Sequence, residues 1–69
     1  MENRLEELRA RKGLTQQELA DLVNVSRQTI ISLERGRYNP SITLAFRLSR
    51  VFGVTVEDIF LYTEEVDHE

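Results

Sequence analysis

The sequence predicts an all-α fold of five short helices, and three kinds of observation carry that prediction. Each of the three glycines closes a stretch with helical character: Gly13 after residues 3–12, Gly36 after 27–35 and Gly53 after 42–52. Glycine is the usual residue just past a helix end, where the backbone turns left-handed without a steric cost. Two helix starts are equally legible. Thr15-Gln16-Gln17-Glu18 and Thr55-Val56-Glu57-Asp58 fit the pattern in which a hydroxyl accepts an orphan backbone N–H and an acid three residues on reaches back. Between starts and stops, apolar residues recur at spacings of three and four, the period of a helix with one buried stripe.

Taken in order, the first helix carries Leu5 and Leu8 and stops at Gly13. The second opens at Thr15 and carries Leu19, Leu22 and Val23. It ends at Asn24, the residue that best tolerates a left-handed backbone after glycine. Ser26 caps the third helix, with Ile30 and Leu33 facing inward. The loop "GRYNPS" follows, in which Pro40 pushes Asn39 toward an extended conformation. Ser41 caps the fourth helix, which carries Leu44, Ala45, Leu48 and Phe52, and the fifth carries Val56, Ile59 and Phe60. The domain is expected to occupy residues 1–62, with an acidic tail at 63–69 polar enough to fray.

Composition bounds the function. At 69 residues with 41% apolar and 30% charged side chains, the chain is a single globular domain. A domain of this size buries only ~60% of its extended-chain surface, so a partner subunit is expected to help. With no cysteine, neither disulfides nor thiolate metal sites supply stability. The lone histidine, His68, has no companion ligand, so neither a metal nor a cofactor is expected. No Ser, His and carboxylate set and no glycine-rich phosphate loop is present, so catalysis has no visible apparatus. The opening "MENRLEELRARKG" has no apolar leader, and no run approaches the ~20 residues of a membrane helix, which makes a cytoplasmic location the expectation.

The net charge of −3 argues against a nucleic-acid binder until its distribution is considered. Residues 24–52 hold Arg27, Arg35, Arg37, Arg47 and Arg50 against the single carboxylate Glu34, whereas six acids and no base follow residue 52. Such asymmetry marks one basic face. The same region reads as helix, "VNV", helix, the second helix opening with Ser-Arg-Gln-Thr. Two helices joined by a tight turn form the unit that places its second helix in a DNA major groove. Ala20 falls where the two helices cross closely, so smallness is required there. Arg27, Gln28, Ile31, Ser32 and Arg35 are left pointing outward.

The elements "LTQQELA", "VSRQTIISLERG", "YNPS" and "FGVTVEDIF", in this order and spacing, resemble the Cro/CI-type helix-turn-helix regulators, often called the XRE family, in their short single-domain form. The resemblance covers nearly the whole chain and implies a compact lambda-repressor-like domain. It implies double-stranded DNA as partner, and a DNA-binding set of Gln16, Gln17, Ser26, Arg27, Gln28, Thr29, Ile31, Ser32, Arg35, Arg37, Tyr38 and Asn39. Within that set Gln16 is implied to meet the DNA backbone at a helix N-terminus. Gln28 is the leading base reader, since glutamine pairs bidentately with adenine N6 and N7. Arg27 is left between guanine and phosphate, and Arg37, Tyr38 and Asn39 are implied phosphate contacts. Ile31 departs from the small or polar residue usual at its position, and either meets a thymine methyl group or packs at the core edge.

The resemblance also implies an Arg9–Glu34 ion pair between helices one and three, which accounts for the solitary carboxylate of the basic block. Arg47 and Arg50 read as a solvated face or as further phosphate contacts. The acidic end carries more apolar surface than one short helix buries alone. By resemblance it implies a homodimer interface of Ile59, Phe60, Leu61, Tyr62 and Val66. The expected function is a homodimeric repressor on an inverted repeat. The rival is an antitoxin-like interaction module that binds DNA to regulate itself.

Overall fold

The computed structural model describes residues 1–37 and 39–61; the expectations placed on Tyr38, Tyr62, Val66 and His68 lie outside them. Five helices appear in the expected order: α1 (Leu5–Lys12), α2 (Gln16–Val23), α3 (Arg27–Glu34), α4 (Ile42–Phe52) and α5 (Val56–Ile59). Among the described residues there is no strand beyond one isolated antiparallel bridge between Asn3 and Phe60.

Helix ends are closed by side chains and by backbone geometry as the sequence predicts. Thr15 and Thr55 each form the reciprocal capping box, with Glu18 and with Asp58. Ser26 and Ser41 accept the backbone N–H groups of Thr29 and Leu44. At the C-terminal ends Gly13, Asn24 and Gly53 occupy the left-handed region with φ of 73°, 63° and 67°. Asn24 is the only non-glycine with positive φ among the described residues, and it sits where the chain must turn from α2 into α3.

The core is one cluster drawn from every helix: Leu5 and Leu8, Leu19, Ala20 and Val23, Ile30 and Leu33, Leu44, Ala45 and Leu48, then Ile59 and Phe60. Among the described residues no polar or charged residue is fully buried. Ala20 is 0% exposed on the helix that packs against α3, which agrees with the demand for a small side chain at the crossing.

Two expectations need correction. The first helix starts at Leu5, not at residue 3. Residues 1–4 form a short strap paired with the end of α5: Arg4 N–H donates to the Ile59 carbonyl at 2.8 Å, and Leu61 N–H donates to the Glu2 carbonyl at 2.9 Å. The Asn3 side chain explains the late start, because its Oδ1 accepts the Leu5 N–H at 3.0 Å and turns the chain into the helix. The second correction is Leu22, which is 59% exposed. The buried stripe of α2 runs through Leu19, Ala20 and Val23, and position 22 falls outside it.

Because Ala20 fills the crossing of α2 and α3 without remainder, Ala20→Leu is expected to cost ~1–3 kcal/mol of stability by overpacking. Urea denaturation of the two proteins measures this, with the midpoint falling and the slope unchanged.

Candidate nucleic-acid interface

The interface is built on α2, the turn Asn24-Val25-Ser26 and α3. The turn is closed from within by Val25 N–H donating to the Ala20 carbonyl at 3.0 Å. It is also braced from outside, where Arg47 Nη1 on α4 donates to the Val23 carbonyl at 3.2 Å. Arg47 therefore acts on the carbonyl end of α2, where a cation is favoured. This contact was not legible in the sequence, because a 24-residue separation leaves no local pattern.

One carboxylate joins the three helices that carry the site. Glu34 Oε2 accepts from Arg9 Nε at 2.6 Å, and Glu34 Oε1 accepts from Arg9 Nη2 at 3.4 Å and from Gln16 Nε2 at 3.1 Å. The side chains of Arg9 and Glu34 are only 16% and 5% exposed. The remaining arginine nitrogen, Nη1, donates to the Leu14 carbonyl at 2.9 Å. The Arg9 guanidinium is held still more firmly in its charged form by its hydrogen bond to Glu34, with burial acting in the opposite direction. The expected pair between α1 and α3 is present, and Gln16 extends it to α2.

Gln16 sits at the N-terminus of α2 with one amide N–H engaged by Glu34. A glutamine amide has two N–H donors, so one is left for an acceptor outside the protein. Gln17 Nε2 donates to Asp21 Oδ1 at 2.9 Å, and Ser26 and Thr29 share a hydroxyl contact at 3.0 Å while closing the start of α3. The Gln17 bond stays within α2, and those of Ser26 and Thr29 stay within the first turn of α3. Arg27, Gln28, Arg35, Arg37 and Asn39 are exposed, and Ile31 and Ser32 are half-buried. Among the described residues, Arg27, Gln28, Arg35 and Arg37 have no side-chain hydrogen bond or ion pair. Glu34, the only acid of residues 24–52, is already matched by Arg9, so among the described residues Arg27, Arg35 and Arg37 have no ion-pair partner.

The residues expected at a subunit interface are divided. Ile59 and Phe60 are 0% and 6% exposed in the protomer and belong to its core cluster, and Phe60 also lines the groove between α4 and α5. Leu61 is 42% exposed and remains available. Besides Leu22 on α2, the large exposed apolar side chains among the described residues include two on α4, Ile42 at 76% and Phe46 at 58%. They flank a groove of about 730 Å³ between α4 and α5, which Met1, Ala45, Val56 and Phe60 also line. The sequence analysis did not single out this face: Ile42 and Phe46 sit one turn apart, outside the stripe of Leu44, Ala45, Leu48 and Phe52.

A helix, a tight left-handed turn and a second helix presenting unpaired arginine and glutamine side chains define a DNA-binding helix-turn-helix domain. The helix-turn-helix family profile matches residues 5–59, and the chain belongs to that family, among the XRE-type DNA-binding transcriptional regulators. It is 51% identical over 65 residues to an HTH-type transcriptional regulator of Methanocaldococcus jannaschii, covering 94% of this chain and 98% of that one. It is 40% identical over 62 residues to the competence pilus inhibition repressor of Acinetobacter baylyi, covering 90% of this chain and 56% of that protein. In three dimensions it is similar to the restriction-modification controller protein C.AhdI of Aeromonas hydrophila, with a TM-score of 0.74, 35% identity and coverage of 83% and 86%. Among the described residues, no helix is long and apolar enough to cross a membrane.

Removing Glu34 strands a largely buried guanidinium and releases Gln16, so Glu34→Ala is expected to cost ~3–5 kcal/mol in a denaturant titration. The paired change Arg9→Met with Glu34→Leu is expected to recover most of that loss. A small effect of Glu34→Ala alone would show that water replaces the carboxylate.

Proposed function

We propose that the protein is a homodimeric, sequence-specific repressor that binds an inverted-repeat operator with α3 in the major groove. The observation that carries this reading is the start of α3, where Arg27 and Gln28 are exposed and make no side-chain bond to the described residues. Gln28 reads a base, with adenine N6 and N7 as its natural partners. Arg27 and Ser32 flank it on the groove edge, and Ile31 offers a methyl group to thymine. Gln16 directs its second amide N–H at a phosphate beside the α2 N-terminus. Arg35, Arg37, Tyr38 and Asn39 bind backbone phosphates beyond the recognition helix and set its register.

The dimer is proposed to form over the α4–α5 groove, with Leu61, Ile42 and Phe46 as its apolar contacts and Tyr62 and Val66 extending it. A two-fold pairing sets the same patch against itself. This face offers both projecting side chains and a groove to receive them. It begins beside Asn39 and Pro40, next to the proposed phosphate loop, so a partner there brings two recognition units side by side on one face of the duplex, ~34–36 Å apart. Repression is favoured by the likeness to a protein named as a repressor. A regulator of this kind works in the cytoplasm with the DNA, has no catalytic role and needs no cofactor.

The experiment that tests this reading is selection of bound duplexes from a random DNA pool at near-physiological salt. A palindromic consensus with half-sites about one turn apart is expected. No enrichment by folded protein would remove DNA recognition as the function and favour a protein partner, as in the antitoxin-like reading. Gln28→Ala is expected to lose ~1–3 kcal/mol at one base position and to relax preference there; an equal loss on every sequence would deny Gln28 a reading role. Phe46→Lys is expected to move the protein to monomer in sedimentation equilibrium with the helical content retained. A surviving dimer would place the interface elsewhere.

A further inference from the structure

Residues 1–4 touch two places that the proposed function needs to hold apart at a set distance. On one side the strap is bonded to the end of α5, through Arg4 to Ile59, Leu61 to Glu2 and the Asn3–Phe60 bridge. Phe60 and Met1 are part of the wall of the α4–α5 groove. On the other side the strap is bonded to the end of the recognition helix. Asn3 Nδ2 donates to the Leu33 carbonyl at 2.7 Å, and the Met1 nitrogen reaches the Gly36 carbonyl at 2.9 Å. Contact here is tight, since a Cβ added at Gly36 would lie 3.0 Å from the Met1 carbonyl oxygen.

Asn3 is the residue on which these bonds converge. Its Oδ1 starts α1 at Leu5, and its Nδ2 serves both Leu33 and, at 3.2 Å, the Met1 carbonyl. The side chain thus uses its acceptor and both donors, while its backbone pairs with Phe60. The Leu33 carbonyl lies in the last turn of α3 and accepts from the Gly36 N–H as well as from Asn3. Three residues further on, Gly36 leads into Arg37.

We infer that Asn3 is a positioning residue for DNA binding, which fixes the exit of α3 relative to the dimer face and so sets the half-site spacing the protein accepts. This inference rests on the dimeric reading above and adds to it the element that measures the distance. One extra base pair moves a half-site by ~3.4 Å along the duplex. A rigid strap prevents the recognition unit from following that shift. With the strap released, α3 is free to rock about the α2 crossing and to meet misplaced half-sites.

The test is Asn3→Ser, because serine still accepts the Leu5 N–H but is too short to reach Leu33. Wild-type protein and variant are titrated against the best operator and against versions with one base pair inserted or removed between half-sites. Wild-type protein is expected to prefer the best spacing by about tenfold or more, the scale of one lost base contact. The folded variant is expected to fall within about threefold across the three spacings. In the free proteins, the Gly36 and Arg37 amides, which donate to Leu33 and Ser32 at 2.9 and 3.0 Å, are expected to exchange with solvent about tenfold faster in the variant.

A folded variant with wild-type spacing preference overturns the inference. A uniform loss on all three spacings, with the preference intact, overturns it as well, since lost stability alone produces that pattern. Should Asn3→Ser not fold, Asn3→Asp, which keeps the carbonyl-type acceptor and removes both donors, is measured in the same way. Absence of any spacing preference in the wild-type protein overturns the dimeric reading itself, and is seen before any variant is made.

Discussion

The structure depends on the placement of one carboxylate. Glu34 lies at the end of the recognition helix, nearly buried, and receives hydrogen bonds from Arg9 on α1 and Gln16 on α2. A charge in that position is tolerable only because its partner is close and the remaining donors are satisfied. The arrangement has two effects at once. It locks three helices into one rigid unit, and it takes the only acid of the basic region out of competition with DNA for the exposed arginines. The second effect concerns the field at the surface, and reconciles a net charge of −3 with an anionic partner: the sign that matters is local.

Around that centre the fold is held by short-range devices. Each of α2, α3, α4 and α5 starts on a threonine or serine whose hydroxyl accepts a backbone N–H. Left-handed residues close α1, α2 and α4. These ends matter more here than in a large protein, because α1, α2 and α3 are only eight residues long, below the length at which a helix is stable by itself in water. Caps, turn geometry and one shared apolar cluster replace length.

Most of the fold was legible in the sequence because it is written in such local patterns. Glycine after an apolar run, threonine three residues before an acid, and asparagine at the turn each have a mechanism that needs no distant partner. The Arg9–Glu34 pair came from family likeness, since nothing near either residue announces the other. Failures have the same origin. The spacing of Leu22 matched a buried stripe it does not join, and Ile42 and Phe46, outside the stripe of Leu44, Ala45, Leu48 and Phe52, went unread because periodicity gives a face without saying what covers it. Ile59 and Phe60 join the core as their spacing on the fifth helix suggests, while the strap that pairs with this segment comes from the far end of the domain. Asn3 and Arg47 act through backbone carbonyls 30 and 24 residues away, and a carbonyl has no residue type to read. For the candidate site, local register places Arg27 and Gln28 at the exposed start of α3, while any base a side chain would meet is a property of the partner.

The strap has a further consequence, in the order in which the molecule is made. Residues 1–4 are made before the rest of this domain, yet the segment that pairs with them, Ile59 to Leu61, is among the last of the domain to emerge. The α2–α3 unit, whose contacts are local, can assemble while synthesis continues. Its exit loop acquires its full anchorage only when the two ends of the domain meet. A nascent or truncated chain therefore carries the α2–α3 unit without the strap that ties its end to α5, and the fully tied domain is a late product of synthesis.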